Sequence, residues 1–262
     1  MPVDPRNPEP LWRQLAGHLR ARILSGELPP GTALPSRSEL MAEHQVSSTV
    51  TVKALDVLRA EGLIWGATGR GVYVREIPPT RVVSSARYRG VLNALRTGQT
   101  LDDFGFAARH SIGWDQVTVD TRFGDVEVPA DIAVMFHVKP GARLFQRHMV
   151  LRAKERAEEI RIGWYPLRMR DLPFGDPTRQ PTPGGEFAEL VQAGVQFREL
   201  VERLSLRPAT PDEAGTLRLP NGWVLTVTRT VHDPTGEPVA VERITYPAER
   251  TVLEYRIDLE GA

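Results

Sequence analysis

The apolar positions of the first quarter of the chain recur at helical spacing. Leu11, Leu15, Leu19 and Ile23 repeat every four residues with Trp12 beside them, which predicts an amphipathic helix of about four turns. Ser25-Gly26 ends it, and Pro29-Pro30-Gly31 forces a turn. Ser36 followed by Glu39 has capping-box spacing and predicts a second helix running to about His44. Gln45-Val46 is a tight turn, and Ser47 caps a third helix, on which Val50, Ala54, Leu55 and Leu58 form one apolar face. Gly62 stops it. Then comes a short hairpin over 63–74, with Gly66, Gly69, Arg70 and Gly71 at its tip. Three helices followed by a glycine-tipped hairpin is the layout of a winged helix-turn-helix, whose second helix of the pair enters the DNA major groove.

Beyond about residue 88 the pattern changes to mixed helix and strand. Alternation predicts strands over 113–123, 143–152, 159–166, 223–231 and 239–244, with a closing strand over 252–257. Short helices start near Pro129, Phe187 and Pro211, and Asp233-Pro-Thr-Gly236 is a turn. The order short helix, loop, Arg-bearing strand, turn, returning strand occurs at 129–165 and again at 211–245, as expected of a sheet built from two similar halves. The fold class is therefore α+β. Residues 1–75 are the DNA-binding head, 76–87 a Pro-containing linker that can run extended, and 88–262 an antiparallel-sheet domain.

Charge changes this picture only locally. Lys+Arg and Asp+Glu are 33 each, so global charge points to no nucleic acid. Residues 1–75 hold nine Arg/Lys against seven Asp/Glu, a weakly basic net of +2 whose grip on DNA dimerisation would strengthen. No cysteine excludes disulfides and Cys-based zinc sites. The start, Met1-Pro-Val-Asp-Pro-Arg-Asn-Pro, has no signal-peptide apolar region, and no apolar run approaches the ~18 residues of a membrane span. A cytoplasmic protein without membrane contact is expected.

Candidate DNA contacts are Arg37, Ser47, Ser48, Thr49, Lys53 and Arg70. Lys53 and Arg37 suit phosphates, Ser47 to Thr49 stand at a helix N-terminus, and Arg70 tips the wing; solvated surface charge is the plain alternative for the basic ones. In the second domain, Arg147 shares a strand face with Phe145, Met149 and Leu151. An arginine on an apolar face needs an anion, supplied by a ligand carboxylate or phosphate or by an internal salt bridge. Arg229, beside Leu225, Val227 and Val231, carries the same two readings, with Glu242 on the returning strand as its internal partner. Arg161 points away from Ile160 and Ile162, into a pocket or into solvent. Glu242 and Tyr255 are candidates for ligand hydroxyls or for cross-strand structural roles. The six histidines form no paired metal spacing, no carboxylate pair suggests acid/base work, and no glycine-rich phosphate loop follows a strand, so neither metal, cofactor nor catalytic residue is expected.

Two stretches carry a family resemblance. Pro10-Leu-Trp-Arg-Gln-Leu, Ile23-Leu-Ser-Gly-Glu-Leu-Pro-Pro-Gly-Thr-Ala-Leu-Pro-Ser and Ala54-Leu-Asp-Val-Leu-Arg-Ala-Glu-Gly-Leu-Ile resemble the N-terminal domain of GntR-family bacterial transcription regulators. Trp164-Tyr165-Pro166, Thr182-Pro183-Gly184-Gly185, Arg207-Pro-Ala-Thr-Pro-Asp-Glu-Ala and the run from Thr228 to Glu242 resemble the UTRA effector domain of the HutC subfamily, whose fold is similar to chorismate lyase. The resemblance implies a homodimeric regulator that binds double-stranded operator DNA and a small-molecule effector, an anionic metabolite among the candidates. Its usual direction is repression relieved by the effector. The alternative is a lyase-like enzyme or product-binding protein of chorismate lyase fold. Three departures stand out. The recognition helix has Ser48 and Val52 where the family usually carries base-reading arginines, each worth roughly 1–3 kcal/mol of discrimination. The first helix of the pair opens Arg37-Ser38-Glu39, where the family often has Glu-Arg-Glu. Lys154-Glu-Arg-Ala-Glu replaces the family's Asp-Gly-Glu-Pro turn, which predicts a longer or looser first hairpin.

Overall fold

The computed structural model describes residues 3–66, 71–76, 80–179, 181–219 and 222–256. The chain divides into two compact units, Met1–Pro78 and Pro79–Ala262.

The first unit contains α1 (Leu11–Leu24), α2 (Arg37–His44), α3 (Ser48–Ala60), β1 (Ile64–Trp65) and β2 (Tyr73–Val74). The capping box forms as the spacing predicts: the Glu39 amide donates to Ser36 Oγ at 3.2 Å, and the Ser36 amide to Glu39 Oε2 at 2.7 Å. Gln45 makes the turn between α2 and α3 in the left-handed conformation, φ 53°. Leu15, Leu19, Leu40, Ala54 and Leu58 are fully buried and hold the three helices together. β1 and β2 pair antiparallel to make the wing.

The second unit opens with β3 (Arg81–Ser84), α4 (Arg87–Thr97) and α5 (Phe106–His110). β3 gives an extended form to the end of the stretch read as a linker. Neither α4 nor α5 is predicted by the hydrophobic pattern. There follow β4 (Val117–Glu127), α6 (Ala130–Met135), β5 (Arg143–Ala153), β6 (Arg156–Tyr165), α7 (Gly185–Gln192), β7 (Glu199–Pro208), α8 (Pro211–Leu217), β8 (Trp223–His232), β9 (Pro238–Pro247) and β10 (Thr251–Glu254). β4 to β9 form one antiparallel sheet in the order β4-β5-β6-β9-β8-β7. The closing strand β10 stays out of it and pairs parallel with β3.

The first hairpin corrects the expectation of a long or loose loop. Lys154 (φ 47°) and Glu155 (φ 68°) alone join β5 to β6, in the left-handed region that a tight two-residue hairpin turn demands. The extra length is taken up inside the ladder, by a register shift at Leu151/Arg152. The two-halved pattern is visible in the helices: α6 packs by Ile132 and Ala133 against Leu144, Trp164 and Val241, and α8 by Leu217 against Ala157, Ile160 and Val224. Both cover one face of the sheet. On the other face Phe145, Arg147, Met149 and Leu151 of β5 point inward as their alternation predicts, toward α5 and α7.

Candidate DNA-binding surface and effector pocket

In the first unit, Ser47 Oγ accepts from the Val50 amide at 3.4 Å and caps α3. The cap leaves the amides of Ser48 and Thr49 directed out of the helix end, where a phosphate is favoured. Arg37, Ser47, Ser48, Thr49 and Lys53 are all exposed. Arg37 has no ion-pair partner among the described residues. Lys53 Nζ stands 4.7 Å from the centroid of the Trp12 ring, so α1 steadies its stem. Thr51, by contrast, is buried and donates its hydroxyl to the Ser47 carbonyl at 3.2 Å. Arg70 lies outside the described residues. At the base of the wing the half-exposed Trp65 packs on Tyr73, ring centroids 5.5 Å apart.

The pocket of the second unit is built from charge. Arg87 and Arg109 on the two unpredicted helices, Arg147 on β5, Arg161 on β6 and Arg229 on β8 line one small, partly open cavity. Thr182, Gly184, Gly185 and Glu186 form its rim at the start of α7. Each arginine is held by a carboxylate. Arg147 Nη1 donates to Glu189 at 2.5 Å; Arg229 donates to Glu242 at 2.5 Å and to Glu202 at 3.3 Å; Arg109 donates to Glu159 at 2.5 Å; Arg161 donates to the other oxygen of Glu159. Arg87 reaches Glu202 at 3.2 Å. Burial in low dielectric is the largest influence on Glu159 and would raise its pKa. Arg161 and Arg109 together outweigh that and hold it down at about 2. Burial likewise pushes the Tyr88 phenol far up, and the neighbouring Glu202, to which it donates, adds to the push.

Glu189 also organises the rim. It accepts the Thr182 amide at 2.8 Å while gripping Arg147, which fixes the turn into α7. Gly185 has φ +69°, and a Cβ there would stand 3.3 Å from Arg161 Nη1. A side chain at this position would be strained and would crowd the guanidinium.

Of the effector candidates read from sequence, Arg147, Arg161 and Arg229 converge on the cavity, and each also has the internal salt bridge that was the other reading. Glu242 and Tyr255 do not line it. Glu242 is buried behind Arg229, and Tyr255 is exposed and donates to Glu202 at 3.1 Å. Both stand off the cavity wall, Glu242 bonded to Arg229 and Tyr255 to Glu202. Arg87, Arg109, Thr182, Glu186 and the partners Glu159, Glu189 and Glu202 were missed. A signal existed for Glu159, which alternates with Arg161 on one strand and so shares its face. Among the described residues no cluster of ligating side chains could hold a metal, and no helix is long and apolar enough to cross a membrane.

Residues 11–74 match the family model for bacterial regulatory proteins of the gntR family, and residues 118–251 match the UTRA domain. An uncharacterised HTH-type transcriptional regulator of Streptomyces coelicolor is 25% identical over 233 residues, 88% of this chain and 86% of that protein. The mannosyl-D-glycerate transport/metabolism system repressor MngR of Escherichia coli is 41% identical over 68 residues, 26% of this chain and 28% of its own. Among solved structures, a GntR-family transcriptional regulator 29% identical to this chain superposes with a TM-score of 0.63, covering 96% of this chain and 99% of that one. With a DNA-binding head ahead of an effector domain whose matched region alone spans half its length, the chain belongs to the gntR family in its UTRA-bearing, HutC-type form, and is a ligand-responsive DNA-binding transcription regulator.

Proposed function

We propose that the chain is a homodimeric repressor whose α3 helices enter successive major grooves of a two-fold operator, and that a small molecule in the arginine cavity releases it. The observation that carries this reading is the pairing, on one chain, of an exposed capped helix N-terminus flanked by Arg37 and Lys53 with a pocket lined by five arginines, three of them buried. Two-fold DNA is matched by a two-fold protein, and a weakly basic head gains affinity from a second copy. The repressor MngR, similar in its head, supports the direction. DNA contacts fall to Arg37, Ser47, Ser48, Thr49, Lys53 and Arg70. Hydroxyls and Val52 replace arginines at the base edges, so methyl contact with thymine carries more of the discrimination here. The protein works beside DNA in the cytoplasm and catalyses nothing.

Selection of bound fragments from random duplex DNA, with sedimentation of the free protein, tests the reading. A palindromic consensus and a dimer are expected; a site without symmetry together with a monomer would overturn it. Lyase-like turnover is the second reading, and Glu186, the cavity's carboxyl without a partner among the described residues, is the group that would serve it. Incubation with chorismate should leave the substrate intact.

A further inference from the structure

The cavity arginines are almost fully answered from within. Five guanidinium groups line it, and four carboxylates, Glu159, Glu189, Glu202 and Glu242, bond to them. The fifth carboxyl, Glu186, is 2% exposed, lines the cavity, and has no hydrogen-bond partner at either oxygen among the described residues. Next to it are groups equally unmatched. Thr182 Oγ1 and Arg147 Nε are buried without partners, and Arg161 spends its Nε on Glu159 while its Nη1 lies beside Gly185. The rim of α7 thus offers, within one cavity, an acceptor needing a donor and guanidinium edges able to receive an anion.

Charge then selects the ligand. With Glu186 ionised the cluster is neutral, five against five. A molecule with no net charge but two separated ionic ends leaves it neutral and satisfies both sides. A phosphate dianion would bury two uncompensated negative charges beside a carboxylate, which low dielectric penalises heavily. A lone amine or a lone carboxylate would leave one side unanswered. The adjoining cavity shares Arg147 and Thr182 and is lined further by Phe174, Arg179, Glu189 and Gln192, so a side chain, polar ones included, has somewhere to go.

Resting on the effector reading above, we propose that the effector is a small zwitterion of the amino-acid type, its ammonium group donating to the Glu186 carboxylate and its carboxylate received by Arg147 and Arg161. Burial raises the Glu186 pKa well above the usual carboxylate range, and Glu242 raises it further against the pull of Arg147 and Arg161, so an ammonium group bonded to it favours the ionised form.

The test uses the full-length protein, thermal melting and titration calorimetry. The probes are each of the twenty protein amino acids, then, for the best binder, its deaminated acid and its decarboxylated amine, with glucose 6-phosphate and inorganic phosphate as contrasts. At least one amino acid should raise the melting temperature, and each truncated analogue should bind at least about tenfold more weakly. Glu186→Gln should lose about tenfold or more in amino-acid affinity, and with it the preference for the amino acid over its deaminated acid, while operator binding persists. The lost preference separates a ligand contact from a merely structural effect, and Glu186→Asp, which keeps the charge, should retain part of it. The proposal is overturned if no amino acid shifts melting, if the deaminated acid binds as well as its parent, or if Glu186→Gln binds like the wild type. Glucose 6-phosphate releasing operator DNA while amino acids do not would overturn it and leave the effector reading standing. Silence from every probe, in melting and in operator release alike, would count against both.

Discussion

The two units place charge in opposite ways. In the head, the groups proposed to meet DNA are exposed and close in sequence, gathered within a capped helix start and the helix before it. In the second unit the cavity arginines are buried or half-buried, and most are answered by carboxylates far along the chain: Glu159 lies 50 residues from Arg109, Glu189 lies 42 from Arg147, and Glu202 lies 115 from Arg87. The difference follows from the ligands. DNA is a polyanion met at a wet surface, where hydrated cations lose little before contact and long-range attraction does most of the work. A metabolite must be recognised inside a dry cavity, where an unanswered charge is costly, so the fold neutralises its own arginines and leaves a few edges open.

The comparison breaks most severely at Glu159. Glu159→Ala strands Arg109 and Arg161 with no other carboxylate bonded to them, and should cost about 3–5 kcal/mol in denaturant unfolding of the second unit. No exposed charge substitution in the head should exceed ~1 kcal/mol. The pH dependence has the same source. A carboxylate whose pKa falls to about 2 in the folded protein contributes stability that is complete above its ordinary range near 4.5 and is lost as the pH drops toward 2. Acid unfolding of the wild type should therefore steepen across that window, and Glu159→Ala should flatten it.

In the head the largest single effect is local. Ser47→Ala removes the α3 cap and should destabilise by about 1 kcal/mol, with a parallel loss of operator affinity because Ser48 and Thr49 lose their setting. Glu186→Gln should act with the opposite sign and stabilise the ligand-free protein at neutral pH. Its folded pKa is raised, so the wild-type contribution is full below about 4.5 and declines as pH rises through the folded value, with Glu242 and Glu189 repelling the forming charge and Arg147 and Arg161 opposing them. The melting difference between variant and wild type should widen from pH 5 to pH 8, and a constant difference would contradict the assignment. The smallest effect is at Lys53: Lys53→Ala should lower operator affinity a fewfold, reduce the salt slope by about one, and leave melting unchanged.

The helix-turn-helix was legible because its rules act over three or four residues. The Ser36–Glu39 box, the Ser47 cap and the α3 stripe are each written in adjacent letters, and the structure places them where spacing puts them. The strands that carry Arg147, Arg161 and Arg229 were legible for the same reason, since alternation alone assigns their faces. The tight β5–β6 turn was not, because Lys154 and Glu155 are not residues that advertise left-handed conformation, and the flanking ladder imposes it. α4 and α5 were not either. Their short apolar faces, Val91 and Ala94 on one and Phe106 and Ala107 on the other, gain meaning only against α7 and β5.

Sequence by itself therefore determined the class of protein, the capped recognition helix and the three strand arginines, because each depends on local spacing. Only tertiary structure decided which carboxylate answers which arginine, that Glu242 and Tyr255 stand behind the cavity wall, and that Glu186 is the cavity acid without a partner among the described residues. The physical reason is that an ion pair is a matter of a few ångströms between side chains, and the chain brings those together from positions that no spacing rule connects.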